Sequence, residues 1–356
     1  MKTGMWLIVV LMLTSVSFAT TVSVGGCVTG VTNYTTIQAA INASLPGDTV
    51  DVCPGTYSEA LTITIPLTVV GVQSGFGDRA IVQGVFNSAS VTIPGGQYGF
   101  RVQPSSNTVF PQILIQNTGP VNLTNLTVDG NGGGLDTVGV YYQNSSGTVN
   151  HVAEHGGHSF GFWLENDTAT LLNVTVTNSV VSSRIVSFSS SSTLSVVSSG
   201  NDLSSGDVTF YAYQTTGTLS SNAIRFAAYG ILIDFGSSFS VAQNTIVSQG
   251  GESKIRLGSA GNSVTNNYLS GGMEVAGIVL DPGANNNTIS KNTVRFGRLG
   301  GTMGTAISFD CGLTGNTVKN NTVEDQTIGI AHVPLSGNVV GPNMFFNADT
   351  VTTSCP

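Results

Sequence analysis

Charge is what this chain has least of. Of 356 residues, 11 are Lys or Arg and 19 are Asp or Glu, so 8% are charged, where a soluble domain carries about a quarter. The formal net charge of -8 leaves no basic track along which a nucleic-acid backbone could lie, and nucleic acid is excluded as a partner. Beyond residue 19 no apolar run approaches the roughly 20 residues of a bilayer-crossing helix, so no membrane span is expected. Cysteine occurs four times with no close pair, which argues against a zinc centre. The lack of charge does not mean disorder, because 40% of residues are hydrophobic and a disordered chain is poor in these.

What is present is a period. The motifs SVTNNYL (263–269), TISKNTV (288–294), TVKNNTV (317–323) and NVVGPNMF (338–345) repeat one pattern. Anchored on Asn267, Asn292, Asn321 and Asn343, it extends back through Asn244, Asn222, Val197, Val174, Val152 and Leu126. The intervals run from 22 to 29 residues, the range of a solenoid coil. Short apolar runs keep step with it: GVYYQ (139–143), GFWLE (161–165), GILID (230–234), GIVLD (277–281), AISFD (306–310) and GIAHV (329–333). Runs this short, β-branched and bounded by Gly, Asn and Ser, read as strands. Stacked parallel, they give a single-domain, all-β, parallel β-helix, right-handed because parallel crossovers are. Its inside is apolar and its outside can be Ser, Thr, Asn and Gly in place of charge.

The chain opens with Lys2, the apolar run WLIVVLMLTSV and Ser17-Phe18-Ala19. This is the pattern of a secretory signal peptide cleaved near Ala19, and it implies a secreted or extracytoplasmic protein, in the periplasm or at the cell surface. Val24-Gly25-Gly26-Cys27 has the letters of a lipid-attachment box but lies far past the apolar core. Export makes the cysteines a disulfide question with three possible pairings. The local pairing, Cys27 with Cys53 and Cys311 with Cys355, would staple both ends, where a solenoid has no stacking neighbour. In residues 20–72 an amphipathic helix over 35–44 caps the first coil, with Ile37, Ala40 and Ile41 on one face. Coils are expected over 73–346, with Pro104 to Pro120 an irregular loop, and a C-terminal tail or cap over 347–356.

TIQAAINA, GDTVDVCPGTYSEALTI and LTVVGV resemble the N-terminal cap and first coils of the right-handed parallel β-helix proteins of the pectin-lyase-like superfamily. That resemblance covers about residues 34–346 and implies the fold. It leaves activity open, because the superfamily's catalytic motifs do not carry over. Polygalacturonases carry Asn-Thr-Asp, Asp-Asp, Gly-His-Gly and Arg-Ile-Lys in that order, whereas here His155-Gly156-Gly157-His158 and Lys254-Ile255-Arg256 stand with no Asp-Asp. Two readings follow: a surface or carbohydrate-interacting solenoid whose partner is a polysaccharide or cell-surface glycan, and a polysaccharide lyase or glycoside hydrolase.

The Asn anchors suit ladders between coils about 4.8 Å apart. Two columns carry candidate chemistry. Three residues past the anchor, Asp129 stands beside His155, and Arg295 beside Glu324. At the ends of the apolar runs stand Gln143, Glu165, Asp234, Asp281 and Asp310. Asp129 and His155 make a candidate acid–base pair with Glu165 as a second carboxylate. Asp281 and Asp310 fit either the spacing of about 5 Å of a retaining glycosidase pair or a shared Ca2+; no other cofactor is implied. Tyr141 and Trp163 could stack on sugars, with His151 and His158 as further substrate contacts. Glu154 falls in an otherwise apolar column, so it is buried or the register slips there.

Overall fold

The computed structural model describes residues 19–73, 79–226, 228–248, 251–272, 275–295, 304–334 and 337–355. The expected signal peptide, but for Ala19, lies outside the described residues. Three parallel sheets run the length of the chain. Sheet A begins at Thr32–Tyr34 and ends at Val339–Val340, and sheet C runs from Leu61–Ile63 to Thr350–Ser354. Sheet B, from Gly55–Tyr57 to Met344–Phe346, has 12 strands, one for each coil. Each coil contributes a strand to A, then B, then C.

The register explains why this sequence stacks. In sheet B one column reads Val128, Glu154, Val181, Leu203, Ile224, Ile246, Leu269, Val294 and Val323 on successive rungs. All of them are buried, and the apolar members join one core cluster that runs through the solenoid. At the turn from A to B a residue in the left-handed region comes first, for example Asn266 at φ 55 or Lys291 at φ 59. The next position carries the ladder Asn201, Asn222, Asn244, Asn267, Asn292, Asn321 and Asn343. Asn267 is typical: Nδ2 donates to Val241 O at 2.8 Å and to Asn292 Oδ1 at 2.9 Å. Its Oδ1 accepts from Asn244 N at 2.9 Å and Asn244 Nδ2 at 3.0 Å. A second ladder, Asn262, Asn287, Asn316 and Asn338, lines the turn into sheet A.

Four sequence expectations change. The ladder positions before Asn222 are Asn201 and Ser179, not Val197 and Val174, which lie in sheet A strands. Ser179 Oγ does the work of an Asn oxygen by accepting Val152 N at 3.1 Å, so the turn survives without the letter that marks it. Residues within 104–120 include a regular strand of sheet C, Thr108–Gln116. The supposed tail forms another, Thr350–Ser354, paired to Ile328–Val333.

The helix is Ile37–Ala43. Thr36 Oγ1 accepts Ala39 N, and both Glu59 oxygens take first-turn donors, Ile37 N and Gln38 N at 2.9 Å each. Its buried residues Ile37, Ala40 and Ile41 join the core cluster at the N-terminal end. Cys27 bonds Cys53 and Cys311 bonds Cys355, with Cα separations of 5.7 and 5.8 Å. Cys27 therefore has no thiol left for lipid.

One segment leaves the solenoid. Between the strands Ala80–Gln83 and Thr108–Gln116, residues 84–107 form a strap that crosses the outer face of sheet C.

Candidate functional site

The strap climbs coil by coil along the carboxylate column. Ser90 O accepts from Gln143 Nε2 at 2.8 Å, and one coil on Thr92 N donates to Glu165 Oε1 at 3.0 Å. Gly95 O accepts Tyr211 OH at 2.8 Å, and Tyr98 N donates to Asp234 Oδ2 at 2.8 Å. The tip is Tyr98, whose hydroxyl donates to Asp281 Oδ2. The chain then returns through Arg101, and Ser105 N donates to Asp136 Oδ1 at 2.8 Å. Beneath the strap a second apolar cluster joins Val91, Tyr98 and Val102 to Tyr141, Phe160, Trp163, Tyr211 and Tyr229.

This corrects the reading of Tyr141 and Trp163 as an open sugar platform. Both are fully buried, and both donate to Glu165 Oε2, at 2.6 and 2.9 Å. Burial pushes the Glu165 carboxyl up to about 7, helped by Asp167 and opposed by Tyr141 and the Thr92 N–H.

At the tip the scarce charge is concentrated. Arg256 grips Asp281 through Nε at 2.7 Å and Nη2 at 3.1 Å, and its guanidinium lies 4.9 Å from the centre of the Tyr98 ring. Burial and then the Asp281 contact push the Tyr98 phenol above its ordinary range. Arg101 Nη2 donates to Glu252 Oε1 at 3.1 Å, and Glu252 also accepts the Tyr229 hydroxyl. Burial, followed by Glu252, pushes Tyr229 up to about 12. Arg101 Nε is buried with no hydrogen-bond partner.

Asp281 and Asp310 follow the paired residues Leu280 and Phe309 on adjacent rungs. Asp281 is buried and Asp310 exposed. Arg256 supplies Asp281 with the positive charge that a shared Ca2+ would have brought.

The other predicted residues fall in two places away from sheet C. Asp129 and His155 do occupy adjacent rungs of sheet B, with His155 Nδ1 3.5 Å from Asp129 Oδ1. Asp129 also accepts Gln83 Nε2 and Asn131 N, each at 2.9 Å. Its pKa is lowered although burial opposes this, because Asn131 N–H, Gln83 and His155 all favour the carboxylate. Gly156, at φ +88, makes this fit possible: a Cβ there would sit 2.0 Å from Asp129 Oδ1. His151 lies on the same side in a left-handed turn, exposed. His158 instead points inward, as a correction to its reading as a substrate contact. Its Nδ1 is 2.8 Å from Glu154 Oε1 and its Nε2 3.0 Å from Gln112 Oε1. Glu154 is buried in register, and Ser182 N and Ser183 Oγ both donate to it at 2.9 Å. Room for it comes from Gly161, where a Cβ would stand 2.7 Å from Glu154 Oε2.

Sequence reasoning missed Tyr98, Arg101, Tyr213, Tyr229 and Glu252. One signal was available. Runs such as GVYYQ and GFWLE are apolar on both faces, and a strand reads that way when both faces are covered.

A family model described as "Periplasmic copper-binding protein (NosD)" matches residues 173–354, just over half the chain. The chain belongs to the NosD family. NosD is a right-handed β-helix family, in accord with the parallel solenoid. No curated protein matches the sequence. Among solved structures, the Dettilon tailspike protein is similar at a TM-score of 0.54 and 12% identity, over 84% of this chain and 62% of the tailspike. The GH136 lacto-N-biosidase from Eubacterium ramulus is similar at 0.53 and 11%, over 92% and 67%. The DFA-IIIase from Arthrobacter chlorophenolicus A6 is similar at 0.51 and 13%, over 86% and 88%. The chain thus spans less than two thirds of the tailspike. At these identities the likeness shows the fold.

The copper of the family's description was tested against the donors present. Copper takes thiolate, thioether and imidazole ligands. All four cysteines are in disulfides, and both His158 nitrogens are engaged inside the core. Among the described residues no three His, Cys, Asp or Glu stand together to hold a metal. Met273 and Met303 lie outside the described residues. The described donors do not fit a copper centre, and no chemistry is derived through one.

Proposed function

We propose that this NosD-family chain is an exported solenoid of the pectin-lyase-like kind, capped by its N-terminal helix, that binds carbohydrate along the rim of sheet C beside the strap. One observation carries this reading: a run of aromatic rings along the solenoid axis that ends at the charged tip. Phe188 and Tyr213 stack with centroids 5.6 Å apart and planes 10° apart, and Phe235 continues the run 6.2 Å from Tyr213. Phe235 is 60% exposed, and Phe100, next to the strap tip, is 63% exposed. Phe188 is buried and Tyr213 half-buried, so they back the run, while Phe235 and Phe100 offer exposed rings to a sugar and the tip offers polar groups to its hydroxyls.

Binding is favoured over cleavage because the carboxylates of this face, Asp310 apart, are already committed. Glu165 and Asp234 hold the strap, Asp281 holds Arg256 and Tyr98, and Glu252 holds Arg101 and Tyr229. Asp310 stands exposed on the next rung. Two disulfides fit an oxidising, extracytoplasmic compartment.

The test is a glycan array with the wild type, Phe235→Ala and Phe100→Ala, together with product analysis on pectin, polygalacturonate and alginate with and without Ca2+. Both rings are exposed, so the variants keep the fold. Binding of a glycan class that weakens in both variants, without cleavage, is expected. Binding that ignores both rings removes the site, and cleavage products replace this reading with the lyase or hydrolase.

A further inference from the structure

Six arginines fall within the described residues, and five are ion-paired. Arg101 pairs with Glu252, Arg184 with Asp207, Arg225 with Asp202, Arg256 with Asp281, and Arg295 with Glu324. Arg79 is the sixth, and it has no carboxylate partner among the described residues. It is exposed and lies one rung from Asn125, because the residues that follow, Ala80 and Leu126, are paired across adjacent coils of sheet B.

Arg79 lines a hollow of about 120 Å³ on the outer side of sheet B, with Gln73, Asn125, His151, Asn178 and Ala153. The hollow has a sequence cause. In the outward column Ile81, Thr127, Ala153 and Val180, the smallest side chain, Ala153, stands between two larger ones and leaves a dip. Asn125, His151 and Asn178 edge it from successive turns, all in the left-handed region at φ 56, 52 and 50. The result is a guanidinium, an imidazole and three side-chain amides around one small space. In a chain of net charge -8, no acidic residue among the described residues lines it.

We propose that this hollow binds a tetrahedral oxyanion, a phosphate or sulfate, either free or as the group of an ester. Arg79 supplies the fork that matches two of its oxygens. Asn125, His151 and Asn178 stand one, two and three coils on from Arg79, at a repeat of about 4.8 Å; lining the same hollow as the guanidinium, they serve the remaining oxygens. A planar carboxylate has two oxygens and would leave those donors unused. The site is on sheet B and stands whether or not the rim of sheet C binds sugar.

The experiment is calorimetric titration of the full mature chain with inorganic phosphate, inorganic sulfate, glucose 6-phosphate, glucose 6-sulfate and glucuronate. The variants are Arg79→Met, His151→Phe and, as a control, Arg225→Met, an exposed arginine already paired with Asp202. The first two should each weaken phosphate or sulfate binding about ten-fold or more, the loss of a charge-assisted hydrogen bond, while Arg225→Met leaves it unchanged. Tighter binding of the esters than of the free ions would assign the site to ester groups, and the reverse to free anions, both within the proposal. Glucuronate binding as well as the phosphates overturns it. So does an equal loss in Arg225→Met, which would mean unspecific charge, or no binding of any oxyanion up to about 10 mM, a standard free energy below roughly 3 kcal/mol.

Discussion

The hydroxyl of Tyr98 donates to Asp281, 183 residues further along the chain. Asp281 is also held by two bonds from Arg256, whose guanidinium lies over the Tyr98 ring. The tip of the strap is thus fixed from its edge and its face at once. Val91, Tyr98 and Val102 of the strap pack over Tyr141, Phe160, Trp163, Tyr211 and Tyr229.

Tyr98→Phe keeps the ring and removes the bond. The variant is expected to lose about 1–3 kcal/mol, the cost of leaving a charged hydrogen-bonding group short of a partner. The loss should be local, because the strap is an excursion and not a coil. Limited proteolysis checks this: cleavage within residues 92–102 should accelerate while the coils stay intact. Unchanged cleavage there would mean that the apolar cluster alone holds the strap.

The C-terminal coils were legible in the sequence because each keeps an Asn at the turn and an apolar residue two places beyond it. Legibility failed at Ser179 and Asn201. There the coil lengths shift and a hydroxyl takes over the Asn acceptor's place, so a period anchored on letters steps off while the hydrogen bond does not. The columns Asp129–His155 and Glu165–Asp234–Asp281 were legible too, since a constant register fixes neighbours across a coil. Their partners were not. Glu165 meets Thr92, 73 residues away, and no local pattern in residues 84–107 shows that the segment lies on sheet C. The residues that looked like an open catalytic column are mostly the strap's anchors.

Glu165 gives the strap a pH dependence. Its carboxyl is raised to about 7 in the folded protein, against about 4.3 in an unfolded chain. Between these values the folded state holds a proton that the unfolded state has released. Stability is therefore full below about pH 4.3 and is lost as pH rises through 7, by on the order of 3 kcal/mol. Glu165→Gln keeps the shape without the titration. Its denaturation midpoint should fall less than that of the wild type between pH 4.5 and 8, and parallel curves would remove the assignment.

The Asn ladder should be strongest in its middle. Asn267 is buried and makes or receives four hydrogen bonds across two rungs. Asn343, near the end, is only partly buried. Asn267→Ala removes the side-chain partners of Val241 O, Asn244 N–H and Asn244 Nδ2, while Asn292 Oδ1 keeps the residue 267 backbone N–H, and it is expected to cost about 2–4 kcal/mol, with Asn343→Ala costing about 1. Chemical denaturation of the two variants measures the difference. Equal losses would mean that stacking of the apolar columns, and not the ladder, sets coil stability.

Lys254 is the reverse case to Glu165. The register puts it on the rung between Gly230 and Gly277, at a corner where the neighbouring coils have no side chain. Its side chain is fully buried, with Nζ donating to Ser248 Oγ at 2.6 Å and Gly272 O at 3.1 Å, and 5.2 Å from the centre of the Phe226 ring. Burial lowers its pKa to about 7, against about 10.4 in an unfolded chain. Between these values the unfolded chain holds the proton and the folded protein does not, so stability rises with pH across the window, by up to about 1.4 kcal/mol per unit. At pH 7 most of the cost of burying the amine is still present. Lys254→Met fills the same corner without a charge, and it should raise the melting temperature at pH 7 while flattening the rise between pH 7 and 10. A wild-type stability curve that is already flat there, or a Met variant less stable at pH 7, would show that the bonds to Ser248 and Gly272 outweigh the buried charge.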